Sequence, residues 1–213
     1  MLNIADIRKD YMLESLSEKD IANNPLQQFE KWWQQSIESN IDEVNAMTLA
    51  TVNSDGKPSA RIVLLKGYDE NGFVFFTNYQ SKKAADIEIN SNVSLVFFWK
   101  ELERQIRIEG VATKISDAQN DEYFNSRPVN SKIGAWASPQ SKAIASREVL
   151  ENNFESYKNK FADQEISRPP HWGGYLISPN RIEFWQGRPG RLHDRIEYSL
   201  EENNQWKVVR LAP

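Results

Sequence analysis

AMTLATVNSDGKPSARIVLLK, residues 46–66, is the stretch that decides the fold. Met47, Leu49 and Thr51 alternate with Thr48, Ala50 and Val52, the period of a strand that buries one face. Ser54-Asp55-Gly56 supplies turn chemistry, so 58–66 is the return strand of a hairpin. Asp69-Glu70-Asn71-Gly72 is a second turn signal and 73–77 a further β-rich run, which together predict a three-stranded meander.

Outward from there, Ser81 caps a short helix through Ile89, and 93–99 and 105–113 are two more strands. Strand character returns in 175–178, 181–186, 192–199 and 206–211, broken at Asn180, Gly187, Pro189-Gly190 and Asn203-Asn204. On the N-terminal side, Asn24 as cap, Pro25 at the first helical position and the spacing of Leu26, Phe29, Trp32, Trp33 and Ile37 predict a helix over 25–39. A short helix is expected over 4–13. Residues 117–126 and 145–161 read as helices with a polar loop between them, the second presenting Val149, Leu150, Phe154, Tyr157 and Phe161 on one side. Short strands joined by tight turns, with helices inserted rather than alternating, argue a mainly β fold with peripheral helices (α+β): an antiparallel barrel, not a parallel βαβ sheet. The chain shows no repeat and no linker, so 1–213 reads as a single domain.

Composition narrows the function. The 26 Lys plus Arg against 30 Asp plus Glu leave a formal net charge of −4, which gives no bulk attraction to nucleic acid or an anionic membrane. Zero Cys removes disulfides, thiolate metal sites and a cysteine nucleophile, and fits a reducing cytoplasm. Asp6, Lys9 and Asp10 interrupt any secretory signal, and the apolar runs at 62–65 and 93–99 are far below the roughly 20 residues of a spanning helix. No nucleotide-hydrolase phosphate loop, glycine fingerprint or histidine pair at metal-ligand spacing occurs. The two histidines, His171 and His193, stand apart, so no metal site is expected.

Cations at strand ends and tight loops remain: Arg61 and Lys66 in RIVLLK, Lys82-Lys83, Arg127-Pro128, and RPGRLHDR at 188–195. For each alone, a solvated surface charge is the plain alternative. Together they point further. Lys82 and Lys83 in the first turn of a helix are unfavourable unless an anion joins them at the free backbone N–H groups, which makes a candidate phosphate site. Arg191, His193 and Arg195 at alternate positions of a strand would share one face beside Trp185. Such a face calls for an anion or an electron-rich ring, while a solvent-facing edge strand is the other reading.

The motifs RIVLLK, FFTNYQSKKA, LERQ, YFNSRP, SKIGAWAS, QSK, WGGY, IEFWQG, RLHDR and the terminal RLAP, running from Arg8 to Pro213, resemble the pyridoxine/pyridoxamine 5′-phosphate oxidase family. The resemblance implies an FMN-binding split-barrel homodimer. It also implies oxidation of pyridoxine 5′-phosphate and pyridoxamine 5′-phosphate to pyridoxal 5′-phosphate, with molecular oxygen reoxidising the flavin. By matching motif it implies FMN contacts at Arg61, Ile62, Val63, Leu64, Lys66, Phe76, Thr77, Lys82, Lys83, Gln105, Gln140, Ser141, Trp185 and Arg195. The vitamer phosphate would meet Lys66, Tyr123, Arg127 and Ser131. Arg191 and His193 would lie over the substrate ring as the catalytic pair, and Arg8 and Tyr11 would belong to an N-terminal lid within 1–20. Phe76 stands where members often have Tyr and Lys82 where many have Arg. A different split-barrel flavin enzyme is the runner-up, which YFNSRP and RLHDR oppose; a non-catalytic flavin or pyridoxal-phosphate carrier is the reading from another class.

Overall fold

The computed structural model describes residues 3–6 and 9–213. Its strands are β1 (Ala46–Val52), β2 (Pro58–Leu64), β3 (Gly67–Asp69), β4 (Gly72–Asn78), β5 (Asn92–Trp99), β6 (Arg104–Lys114), β7 (Trp172–Gln186), β8 (Asp194–Leu200) and β9 (Trp206–Arg210). Its helices are α1 (Pro25–Glu38), α2 (Lys82–Ile89), α3 (Asp117–Ser126), α4 (Val129–Ala137) and α5 (Arg147–Lys160). All the strand pairs are antiparallel, in the order β2-β1-β5-β6-β7-β4-β3, with β8 and β9 continuing from β7. No helix among the described residues is long and apolar enough to cross a membrane.

The hairpin of β1 and β2 is as the sequence implies, with Leu49 opposite Arg61 and Thr51 opposite Ser59. The meander is not. The Asp69–Gly72 turn joins β4 to the short β3, and β4 pairs with β7 instead of β2. The sheet curls until β2 and β4 approach again, and the Lys66 N–H donates to the Val74 carbonyl at 2.8 Å. This curl brings Arg61 of β2, and Lys66 just beyond it, to face the end of β4.

The α1 prediction holds. Asn24 Oδ1 accepts from the Leu26 N–H at 2.8 Å, and Pro25 occupies the first turn. Its inward stripe buries Phe29 and Trp32 in the barrel, where Phe29 stands edge-on to Phe73 at 4.9 Å and Trp32 edge-on to Phe184 at 5.2 Å. Ile37, assigned to the same stripe, is exposed.

Four further expectations are corrected. A 3-10 turn covers Ile4–Asp6, and residues 9–13 are not helical: their backbone N–H groups at Met12 and Leu13 are taken by a side chain. The polar loop expected after 126 contains α4, whose N-terminal residue Pro128 offers no side-chain cap, so the usual start signal is missing. The break at Asn180 is a bulge within one long β7: Gly110 pairs with Pro179 and Glu109 with Arg181, which leaves Asn180 as the extra residue. Finally, β8 starts at Asp194, because Pro189–Arg191 forms a 3-10 turn with Arg191 at φ +62. Arg191, His193 and Arg195 therefore do not alternate along one strand.

Candidate functional site

A cleft of about 520 Å³ opens between β2, the end of β4, the start of α2 and the α3–α4 corner. Twelve of the expected residues meet there: Arg61 to Leu64 and Lys66 from the hairpin, Phe76, Thr77 and Lys83 from β4 and α2, Tyr123, Arg127 and Ser131 from the corner, and Gln140.

Electrostatics at one end of the cleft is set by Lys83. Its ammonium donates to Gln140 Oε1 at 2.8 Å and Thr77 Oγ1 at 3.1 Å, and Ser81 Oγ is 3.4 Å away. Burial and the nearby Arg61 guanidinium push its pKa down to about 8. Ser81 precedes α2 as expected, yet its side chain makes no cap, so the first-turn donors stay available. Arg61 donates to the Leu49 carbonyl, Thr51 Oγ1 at 2.8 Å and Ser59 Oγ at 2.7 Å, and burial also lowers its pKa. Two cations held close, both hydrogen-bonded among the described residues only to neutral groups, suit an anion.

At the α3–α4 corner the Arg127 guanidinium lies over the Trp172 ring at 4.6 Å, and its Nη1 is buried with no hydrogen-bond partner among the described residues. Burial lowers its pKa. An orphaned guanidinium nitrogen in a cleft is a costly arrangement that a phosphate oxygen would satisfy. Beside it Phe76 stacks on Tyr123 at 4.0 Å and on Trp172 at 5.2 Å, the three rings nearly parallel. Gly174 permits this: a Cβ there would lie 2.9 Å from Phe76 Cε1.

A second cavity, about 610 Å³, holds Tyr11, Arg191 and His193 with Lys9, Asp10, Arg188 and Gly190, and shares no lining residue with the first. His193 lies 4.6 Å from the Trp185 ring, and Tyr11 stands edge-on to both rings, at 5.6 Å from Trp185 and 5.9 Å from His193. The Arg188 N–H donates to His193 Nδ1 at 3.1 Å, so in the neutral ring the proton sits on Nε2. Gln105, Trp185 and Arg195 form one row across β6, β7 and β8.

Three expected cofactor residues stand differently from the expectation. Lys82 lies outside the cleft lining and pairs with Asp86 at 3.0 Å, a carboxylate that also accepts from Thr51 Oγ1 at 2.8 Å. Ser141 is exposed, at φ +67, and also outside the lining. Arg195 is not a free cation: Glu183, buried, takes its Nε at 2.9 Å and the Arg107 Nη1 at 3.0 Å. The repulsion read from sequence is thus answered at Arg195 by an internal carboxylate. Arg8 lies outside the described residues.

Sequence reasoning left out Asn78, Pro128 and Trp172, which also line the cleft. Trp172 was legible as the first residue of WGGY, next to the two glycines that mark a close approach. Glu183 carried a signal as well, a lone carboxylate inside the apolar strand IEFW.

The family model described as pyridoxamine 5′-phosphate oxidase matches residues 34–161, and that of the pyridoxine 5′-phosphate oxidase C-terminal dimerisation region matches 172–213. Pyridoxine/pyridoxamine 5′-phosphate oxidase of a Cyanothece strain is 56% identical over 212 residues, covering 100% of this chain and 99% of its own. The Cupriavidus metallidurans protein of the same name is 53% identical over 213 residues, covering 100% of both. Among solved structures, PhzG from Burkholderia lata in complex with tetrahydrophenazine-1-carboxylic acid superposes with a TM-score of 0.88 at 28% identity, over 94% of this chain and 99% of that one. A pyridoxamine 5′-phosphate oxidase-related FMN-binding protein of Nostoc punctiforme, at 18% identity and TM-score 0.72 over 91% of this chain and 100% of that one, shares the fold.

Proposed function

The chain belongs to the pyridoxamine 5′-phosphate oxidase family, and from that premise we propose how its own residues carry the family's reaction. It oxidises pyridoxine 5′-phosphate and pyridoxamine 5′-phosphate to pyridoxal 5′-phosphate with FMN as cofactor and oxygen as acceptor, as a homodimer. Bound FMN supplies the hydride acceptor, which leaves the protein to bind, orient and shield.

In this reading Arg61, Thr77 and Lys83 hold the cofactor phosphate at the start of α2, with Gln140 orienting the Lys83 ammonium. Lys82 and Ser141 join at the rim, and residues 62–64 with Phe76 border the cofactor. Arg127, aided by Lys66, Tyr123 and Ser131, grips the vitamer phosphate. Arg191 holds the substrate ring, and His193 offers its Nε2 proton to the substrate's alcohol or amine. Because Tyr11, Arg191 and His193 share no cavity with Arg127, one complete site draws on both subunits: the cleft of one, and the Gln105–Trp185–Arg195 row with the second cavity of its partner. Tyr11 closes over it. All nine strands among the described residues share one sheet, which supports a single domain over 1–213, with the lid within 1–20 as a further part of the proposal. A cytoplasmic location is proposed on the cysteine-free composition.

The unpartnered Arg127 Nη1 over Trp172 carries the reading. Oxygen uptake by the FMN-loaded protein tests it: pyridoxine 5′-phosphate and pyridoxamine 5′-phosphate should turn over, while pyridoxine without its phosphate should not. Equal turnover of the two pyridoxine forms would remove the phosphate grip.

A further inference from the structure

Glu103 lies in the tight turn between β5 and β6 at φ +54, with a side chain only 3% exposed. A buried carboxylate is costly unless donors surround it. Here they come from one stretch of the N-terminal segment: the Met12 N–H donates to Oε2 at 2.8 Å, the Leu13 N–H at 3.2 Å, and the Lys9 ammonium reaches Oε1 at 3.1 Å. Burial works against ionisation, yet the Leu13 N–H, the Lys9 ammonium and the Met12 N–H hold the carboxyl below its usual range.

Residues 9–13 have no regular structure of their own to fix them. Further along, Arg188 donates to the Glu14 carbonyl and Asp194 accepts from the Leu16 N–H, so those contacts secure the chain from residue 14 onward. Glu103 secures the part that carries Tyr11. Its own backbone is tied to the strand bearing Trp185, because the Gly187 N–H donates to the Glu103 carbonyl at 2.8 Å. Tyr11 packs so closely at this point that a Cβ on Gly187 would lie 2.6 Å from Tyr11 Cγ.

We propose that Glu103 is a positioning residue: its carboxylate latches residues 9–13 across the Arg191–His193 cavity and sets Tyr11 as the wall that closes over the substrate. This rests on the reaction assigned above. Glu103 touches neither substrate nor cofactor and acts through the backbone of Met12 and Leu13.

The test uses the full-length, FMN-loaded dimer and two readouts, amide hydrogen exchange and steady-state kinetics. In Glu103→Ala, exchange at Met12 and Leu13 should accelerate roughly tenfold or more, as expected for loss of a charge-assisted hydrogen bond. KM for pyridoxine 5′-phosphate should rise by a similar factor, with FMN content and kcat little changed. Glu103→Gln keeps an acceptor oxygen and loses the Lys9 pair, so it should fall between wild type and Ala. Gly187→Ala should raise KM by displacing Tyr11 while Glu103 stays intact. A merely structural role would lower FMN retention and thermal stability, depress kcat as well, and show no rescue by Gln. Unchanged exchange at Met12 and Leu13 would overturn the latch, and freed amides with an unchanged KM would overturn the positioning role. Should Glu103→Ala fail to fold, Glu103→Gln and Gly187→Ala decide by the same criteria. A wild type that oxidises no pyridoxine 5′-phosphate would refute the assigned reaction instead, and the exchange result would judge the latch by itself.

Discussion

Lys83 donates its ammonium to Gln140 Oε1 at 2.8 Å across 57 residues of sequence, and among the described residues it has no carboxylate partner. Asp86, in the next turn of the same helix, is engaged by Lys82 and Thr51. The adjacent lysines of the SKKA motif therefore have different electrostatic states. Lys82 is neutralised within the protein, whereas Lys83 is partly desolvated and faces Arg61.

A pH dependence of cofactor affinity follows. With its pKa lowered to about 8 by burial and Arg61, Lys83 loses its proton as pH rises through that value, while the FMN phosphate, whose second pKa is about 6, stays doubly charged. FMN affinity should weaken above about pH 8. In the cofactor-free protein the sign is opposite for stability: the folded state binds this proton less readily than the unfolded chain, so Lys83 contributes a gain in stability as pH rises from about 8 towards the ordinary lysine value of 10.5. Fluorescence titration with FMN across pH checks the first, and Lys83→Met should flatten the profile. Lys82→Met should cost less affinity than Lys83→Met. A wild-type affinity constant from pH 7 to 9.5 would contradict this.

Arg127→Ala should act on the substrate and spare the cofactor. A charge-assisted hydrogen bond is worth roughly 1.5–3 kcal/mol, so kcat/KM for pyridoxine 5′-phosphate should fall by roughly 10-fold to 150-fold. The loss should appear in KM, since the phosphate is held alike in ground and transition states. Arg127→Lys should rescue little, because an ammonium cannot reproduce the planar guanidinium over Trp172. Steady-state kinetics at saturating FMN decide; an unaltered KM would place the phosphate elsewhere.

Gly174→Ala should loosen the aromatic slab. The new Cβ would meet Ile115 Cδ1 at 2.7 Å and Phe76 Cε1 at 2.9 Å, and the backbone cannot yield freely, because the Gly174 N–H donates to Asn120 Oδ1 at 2.7 Å and its carbonyl accepts from the Tyr79 hydroxyl. Overpacking of this kind costs roughly 1–3 kcal/mol. Thermal melting should record the loss, and near-ultraviolet circular dichroism should record displacement of Phe76 from Tyr123 and Trp172. An unchanged melting curve would show that the rings move aside at no cost.

What the sequence reveals and conceals follows the range of the interactions involved. The β1–β2 hairpin and α1 are legible because alternation, turn residues and an Asn-Pro start are local. The Asp69–Gly72 turn is legible too, but its consequence is not: which strand β4 joins depends on the curl of the whole sheet. Helix α4 lacks a capping side chain and contains Gly134, so its start carries no local signal. At the site, the cations of the cleft are marked by motif, whereas Asp86 and Glu183, which neutralise Lys82 and Arg195, act through tertiary contacts or within strands read only for their apolar residues. The left-handed Arg191 shows the same limit. A Pro-Gly turn is evident in the sequence, but its extension through Arg191, which delays β8 to Asp194, is a matter of backbone geometry.

The division of the site into two cavities gives the sharpest prediction. Arg127 lies in the cleft and Arg191 in the second cavity, with no shared lining residue. If a complete site takes the cleft of one subunit and the cavity of its partner, Arg127→Ala and Arg191→Ala each cripple both sites of their own homodimer. Mixing the two variants under conditions that exchange subunits creates heterodimers in which one site collects both defects and the other has neither. Random pairing makes about half of the dimers heterodimers, each with one intact site of two, so at substrate concentrations well below the variants' KM activity should return to about a quarter of the wild-type value per site. The recovered activity should show the wild-type KM, because the sites that produce it contain both arginines. Kinetics before and after exchange, with a size-exclusion profile to confirm that dimers persist, make the measurement. No recovery on mixing would mean that each chain supplies Arg127 and Arg191 to the same site, and the assignment of the second cavity to the partner would fall.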